Sequence, residues 1–380
     1  MIYLTYGEPP SGVYSSQVCD VINFLKKQHK ADIRLVAFLS LKDFSKSKKQ
    51  IISQCPGAIV IPALPKVIYW RLNCCLLWII TLWLRPDVIV ARNVIAANMA
   101  LATKPFSRIK KVCFDGRGAI AAEWHEYDVQ VNEQWKREID DLEKKAVINS
   151  DFRIAVSQQL VEYWKEKYNY TGNGHVVIPC TLSSGFELSP TDVNSIIQQR
   201  TSMGYGDSDV LFAYSGSTAG WQSFELLSSF LEPLLKKNKN HKVLFLAKEE
   251  ENITSLQKNF PGQVFQKWLS HSAVKEHLNV CDYGILTRED TVTNRVASPT
   301  KFAEYLSAGL PVIISENLGD YSRFTVEKKC GVLLSEAIKL SSFTKPGEPE
   351  KNRMISMAKQ FFTKEACNEE YKKLLTQLSN

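Results

Sequence analysis

NRVASPTKFAEYLSAGLPVIIS, residues 294–315, decides how the rest of the chain is read. Ser298-Pro299 reads as a helix start, with serine at the N-cap and proline at the first helical position. Thr300 and Lys301 follow in the first turn and Glu304 comes one turn on. Ala308-Gly309-Leu310-Pro311 then breaks the helix before the apolar run Val312–Ser315. Helix, break and β-branched run make one step of a parallel α/β sheet. The first-turn N–H groups and the Lys301 ammonium would together hold a pyrophosphate, because exposed amides and the positive dipole end make an anion site. Glu304 accepts from hydroxyls and repels phosphate, which suits a ribose diol. Just upstream, Tyr283–Leu286 reads as a strand ending at Thr287-Arg288, so a second cation reaches the same phosphates. A plain surface helix with a Lys–Glu pair is the bland alternative. It leaves the coincidence of cap, cations, carboxylate and strand end without a reason.

The same rhythm extends outward in both directions. Ile2–Tyr6 is strand-like, GEPPSG over 7–12 is a loop, and Ser15–Lys27 has the spacing of an amphipathic helix. Strand-like runs recur at Ile33–Phe38, Ala58–Ile61, Val88–Ala91 and Lys111–Phe114. The pattern restarts with a strand at Asp209–Tyr214, a turn over Ser215–Gly220 and a helix over Trp221–Lys236. Further strands are expected at Lys242–Ala247, Tyr283–Leu286 and Val312–Ser315. A chain of 380 residues exceeds one ordinary core. Two rounds of alternating β and α therefore predict an α/β protein with two Rossmann-like parallel-sheet domains facing a central cleft. The expected boundaries are residues 1–184, 185–358 and a terminal helix at 359–380 packing back on the first domain. Ser183–Ser208 is polar and reads as the linker. At the second domain's first strand, Gly216 and Ser217 lead into a helix N-terminus, which serves an anion or an ordinary cap equally well.

The run SPTKFAEYLSAGLPVI closely resembles the S-P-x-K-x-x-E-Y-(small)-A-x-G-x-P-V-I signature of family-4-type glycosyltransferases with the GT-B fold. The likeness continues through CDYGILTRED before it and Gly319-Asp320-Tyr321 after it. ARN at 91–93, FDGRG at 114–118, IAVSQQL at 154–160 and YSGSTAG at 214–220 fit the same layout. The resemblance implies a transferase that moves a sugar from a nucleotide diphosphate donor to an acceptor. It implies a retaining reaction with no metal and no cofactor, the nucleotide sugar entering as substrate. By motif position Ser298, Pro299, Thr300 and Lys301 resemble the diphosphate contacts and Glu304 the ribose contact, with Arg288 a second phosphate candidate. The chain departs from the family at two places. Val296 stands where an E-x7-E pair would place its first glutamate. Ser217 stands in the region where a basic residue often follows the glycine turn, and Lys248 is the nearest substitute. On the acceptor side, Asp115 and Arg117 follow the strand Lys111–Phe114. Asp115 could orient or deprotonate the acceptor hydroxyl, and Arg117 could bind a phosphate or the developing diphosphate charge. Gly12, Arg92, Gly118 and Glu123 complete the acceptor candidates, and a structural ion pair between Asp115 and Arg117 is the competing reading. Asp207-Ser208-Asp209 has the form of a metal-binding D-x-D, but it precedes a strand rather than ending one.

Charge and composition bound the partners. The nine cysteines are scattered without a C-x-x-C pair, as expected of reduced thiols. The start MIYLTYGEPP lacks the features of a signal peptide. Residues 1–110 hold 15 Lys and Arg against 5 Asp and Glu, a balance of +10 in a chain of net +7, so the remainder sums to −3. A basic half implies a polyanionic partner, and without a nucleic-acid motif this points away from nucleic acid. Residues 67–84, VIYWRLNCCLLWIITLWL, are rich in aromatic residues and flanked by Lys66 and Arg85. The uninterrupted apolar part, Cys74–Leu84, is about half of the ~20 residues that cross a bilayer. The expectation is peripheral attachment to an anionic membrane, with cytoplasmic location on its inner face. A buried core helix is the alternative. A glycan or lipid-linked acceptor of bacterial surface polysaccharide synthesis would suit such a site. A UDP-sugar epimerase of the same architecture and an inactive membrane-bound partner are the rival readings.

Overall fold

The computed structural model describes residues 1–379 apart from 129–132, 187–192, 217–222, 270 and 341, with backbone alone at 193, 194, 271 and 272. The first sheet comprises β1 (Ile2–Tyr6), β2 (Arg34–Leu39), β3 (Ile59–Pro62), β4 (Val88–Arg92), β5 (Lys111–Gly116), β6 (Phe152–Ala155) and β7 (His175–Val177). Its order is β3-β2-β1-β4-β5-β6-β7, and every pairing is parallel. The second comprises β8 (Val210–Ser215), β9 (His241–Leu246), β10 (Val264–Lys267), β11 (Tyr283–Leu286), β12 (Val312–Ile314) and β13 (Gly331–Leu333). Its order is β10-β9-β8-β11-β12-β13, again parallel throughout. The chain divides into two compact units. One holds Met1–Ser183, Val296–Ser298 and Lys364–Asn380, the other Ser184–Arg295 and Pro299–Thr363.

Both sheets are buried on both faces, as their continuous apolar runs require. In the first unit Ile22 and Leu25 of one helix and Tyr371, Leu374 and Leu378 of another pack on Tyr3, Leu35 and Val90. In the second, Leu227, Leu231 and Leu235 recur every four residues along the helix Phe224–Lys237, and so cover Phe212, Val243 and Phe245 as one stripe. Each sheet reverses its order once, between β1 and β4 and between β8 and β11. Ligands of open α/β sheets sit at the carboxyl ends of the strands beside that reversal.

The elements differ from the sequence expectations in three ways. The short strands β6, β7, β10 and β13 were not singled out, since three or four residues carry too little periodicity. The first helix starts at Gly12, where the Ser11 hydroxyl accepts from the Tyr14 N–H, and runs through a wider π turn at Ser15–Cys19 to His29. The expected linker contains the helix Val193–Ser202. Its Arg200 is buried, donating to Val280 O at 2.7 Å, to Asp282 Oδ2 at 3.0 Å and to Asp209 O at 2.7 Å. The polarity that suggested a linker thus belongs partly to a buried network.

Tyr305 shows how the second unit holds its strand ends. Its ring is fully buried; its hydroxyl accepts from Ser215 N at 2.9 Å and donates to Ile285 O at 3.1 Å, tying β8 to β11. Gly284 makes this possible, because a Cβ there would overlap the Tyr305 ring. Gly284→Ala is therefore expected to cost roughly 3 kcal/mol by overpacking. Thermal unfolding at unchanged midpoint would show that the ring has room to move.

Candidate functional site

The carboxyl edge of the second sheet gathers most of the donor candidates. Gly216 follows β8 with φ +119, in the left-handed region that favours glycine, and its N–H donates to Leu246 O at 3.0 Å. Ser217 lies outside the described residues. Lys248 lies two residues past β9, with its Nζ 5.3 Å from the centre of the Trp268 ring. Arg288 lies two residues past β11. Its N–H donates to Ser315 Oγ at 2.7 Å, and its guanidinium reaches Asn294 Oδ1 at 3.3 Å.

The helix Thr300–Ser307 brings Lys301 and Glu304 to the same region. Lys301 Nζ stands 5.3 Å above the Tyr214 ring. Burial, and next the neighbouring Arg288 charge, pull its pKa down from the usual lysine range to about 7, against the opposing pull of Glu304. Two cations are thus held close enough to repel, an arrangement that an anion would relieve.

The start of this helix corrects one expectation. Pro299, not Ser298, is the N-cap of this helix. The Ser298 hydroxyl instead accepts from the Cys180 N–H at 2.8 Å, and Val296 O accepts from the Ser157 hydroxyl at 2.7 Å. Residues 296–298 therefore belong to the first unit and residues from Pro299 to the second. A local cap signature cannot register a hydroxyl engaged by an amide 118 residues away. Asp209 of the rejected D-x-D is held by Lys242 Nζ and Gly206 N, each at 2.6 Å, at the amino end of β8.

In the first unit the carboxyl ends of β1, β4 and β5 carry a closed ionic network. Glu8 accepts from Arg92 Nε at 2.9 Å and from Asn93 Nδ2 at 2.7 Å. Asp115 was expected beyond its strand, but β5 runs to Gly116 and Asp115 lies inside it with no exposed surface. It accepts from the Tyr3 hydroxyl and pairs with Arg117 Nε at 2.8 Å, with Arg92 Nη1 at 3.8 Å. Arg117 turns back into the protein and lines a small internal cavity with Tyr3 and Tyr371. The competing reading, a structural Asp115–Arg117 pair, is what the geometry displays. Gly12 opens the first helix, Gly118 has open space around it, and Glu123 is half-buried on the helix Ile120–Glu126. The sequence reading missed Tyr3, for which no local signal exists, and quoted Asn93 only within ARN at 91–93 and Glu8 only within the loop GEPPSG.

Residues 67–84 join this same edge. Tyr6 donates to Val67 O at 2.7 Å, and Gly7, at φ +75, leaves room for the Val67 side chain. From there the helix Trp70–Leu84 packs one face on the helix Asn93–Thr103 and bares the other. Leu72, Trp78, Ile79, Leu82 and Trp83 are exposed, Trp83 to 68%. Phe106, 73% exposed, belongs to the same patch, since Trp78 Nε1 donates to its carbonyl at 2.7 Å. Lys66, Arg85 and Arg108 are exposed beside these segments in the chain. Val67–Leu84 spans 18 residues at mean hydropathy 1.6, which by length and composition alone is enough to cross a membrane, contrary to the sequence expectation. Its two ends nevertheless lead to β3 and β4 of one sheet, so in this fold it lies in the helical layer.

No family model matches the chain, and no curated protein matches it in sequence. Solved structures do. Sucrose-phosphate synthase from Thermosynechococcus elongatus superposes with a TM-score of 0.72 at 13% identity, covering 99% of this chain and 98% of its own. A glycosyltransferase from Rickettsia africae gives 0.70 at 11% identity, covering 100% and 98%. A putative UDP-N-acetylglucosamine 2-epimerase from Listeria monocytogenes gives 0.56 at 9% identity, covering 93% and 89%. At such identities the likeness establishes the fold: two Rossmann-like units of the GT-B type.

Proposed function

We propose that this protein is a glycosyltransferase that moves a sugar from a nucleoside diphosphate donor to a glycan or lipid-linked acceptor. The observation that carries the reading is the close pair of Lys301 and Arg288, with Glu304 on the same helix, beside the β8–β11 reversal. Lys301 and Arg288 would bind the diphosphate, and Thr300 and the first-turn amides of its helix would add donors. Glu304 would accept from the ribose hydroxyls. As the glycosidic bond to the diphosphate breaks, negative charge grows on the leaving oxygen, and these cations stabilise it without a reorganisation cost. The reaction is read as retaining at the anomeric carbon. In the first unit, Arg92 and Asn93 hold Glu8 at the acceptor edge, and Asp115 with Arg117 braces that edge from within.

The exposed aromatic face of residues 67–84, with Phe106 and the cations beside it, suits the anionic surface of a bacterial inner membrane. Its beginning beside Gly7 would bring a membrane-held acceptor to the edge that carries Glu8 and Arg92. This supports a place in capsule, O-antigen or exopolysaccharide synthesis. An epimerase of this architecture shares the nucleotide site and is the second reading, favoured by the solved epimerase of similar fold. It gives no purpose to the aromatic face.

A thermal-shift screen against UDP-, GDP-, dTDP- and CMP-sugars tests the donor, and turnover with and without acceptor separates transferase from epimerase. Epimerisation in the absence of acceptor would overturn the transferase reading. Because Lys301, Arg288 and helix amides supply the positive charge, turnover is expected to persist in EDTA. Activity abolished by EDTA and restored by Mg²⁺ or Mn²⁺ would sink that account of the leaving group.

A further inference from the structure

We propose that Trp268 is the platform on which the nucleobase of the donor stacks, an inference that rests on reading the β8–β11 edge as a nucleotide site. Trp268 is the first residue past β10 and is 65% exposed, whereas Phe212, Tyr214 and Phe245 of the same unit are buried. Tryptophan is on average a well-buried residue, and one left open at a strand end offers an aromatic surface to a ligand. The strand register places it. Lys267 pairs with Leu246 and Leu246 with Ser215, while Ala213 pairs with Gly284 two residues before Leu286. Trp268, Lys248, Gly216 and Arg288 therefore stand along one edge. Three strand spacings separate β10 from β11, or ~14 Å. That is the reach of an extended nucleoside diphosphate whose phosphates lie at Arg288 and Lys301 and whose base lies towards β10.

The ring is also held in position. Lys248 Nζ sits 5.3 Å from its centre, a cation over one face, and the Lys248 carbonyl accepts from Gln266 Nε2 on β10. At 65% exposure the ring still offers area for a flat partner. Bases stack on aromatic side chains through faces that all of them possess, so this contact adds affinity without choosing among them. Lys248, which the sequence suggested as a phosphate contact, would on this account orient the platform.

The test is calorimetric titration of the intact protein, Trp268→Ala and Trp268→Phe with UDP, GDP and inorganic pyrophosphate. The exposed position lets both variants fold, which their melting curves verify. The alanine variant is expected to bind its preferred nucleoside diphosphate roughly 10- to 100-fold more weakly, with the phenylalanine variant retaining most of the affinity. Pyrophosphate binding should be equal in all three. Unchanged nucleoside diphosphate affinity in the alanine variant, or an equal loss for pyrophosphate, overturns the stacking role and leaves the nucleotide site standing. A wild type that binds no nucleoside diphosphate defeats the site reading itself, and the platform with it.

Discussion

Lys301→Ala is expected to lower the transfer rate by about 10²-fold, the scale of one charged donor to developing charge. The donor-edge geometry makes the effect specific. The ammonium stands over the Tyr214 ring beside Arg288, and burial with that neighbouring charge pulls its pKa down to about 7. A bound diphosphate would raise that pKa again, so binding above pH 7 takes up a proton. Affinity should be full below about pH 7, then weaken roughly tenfold per pH unit until the pKa of the complex is reached. Lys301→Arg, charged at every accessible pH, should flatten that profile. Full activity in Lys301→Ala with an unchanged melting curve would remove this residue from the mechanism.

Loss of membrane binding is the second large effect. Wild type should sediment with anionic liposomes, and less so as salt rises, because cations contribute about 1 kcal/mol each near the surface. Trp83→Glu/Phe106→Glu should abolish sedimentation. Burying a large apolar side chain is worth ~2–3 kcal/mol, so removing two weakens partition by at least ~10²-fold before the added charges are counted. These two residues are the most exposed of the patch, at 68% and 73%, so the fold loses little packing. Trp78 is left in place because it holds the Phe106 turn. Neutral liposomes should bind weakly. A wild type that ignores anionic liposomes even at low salt would separate this face from any membrane role.

Much of the second unit was legible because its signals are short-range. The glycine break at Gly309, the strand Tyr283–Leu286 and the placement of Lys301 and Glu304 on one short helix follow from spacing within a few residues. Where the reading slipped, the deciding partner was remote. Ser298 looks like a cap until Cys180 is folded against it, and Asp115 looks like a residue beyond its strand until it is found buried within β5 among Tyr3, Arg92 and Arg117.

From its sequence alone, the chain is determined to be two rounds of parallel α/β structure, with a cationic helix start after β11 and an aromatic, basic segment before β4. Period, β-branching and charge are local properties, and they survive without neighbours. Only the tertiary structure decided which polar groups are braces and which stand open at an edge. Burial and pairing depend on strands that meet in space, as Tyr3 and Asp115 do across 112 residues. The same reason holds for Phe106, which joins the face of residues 67–84 through one hydrogen bond that no spacing in the chain encodes.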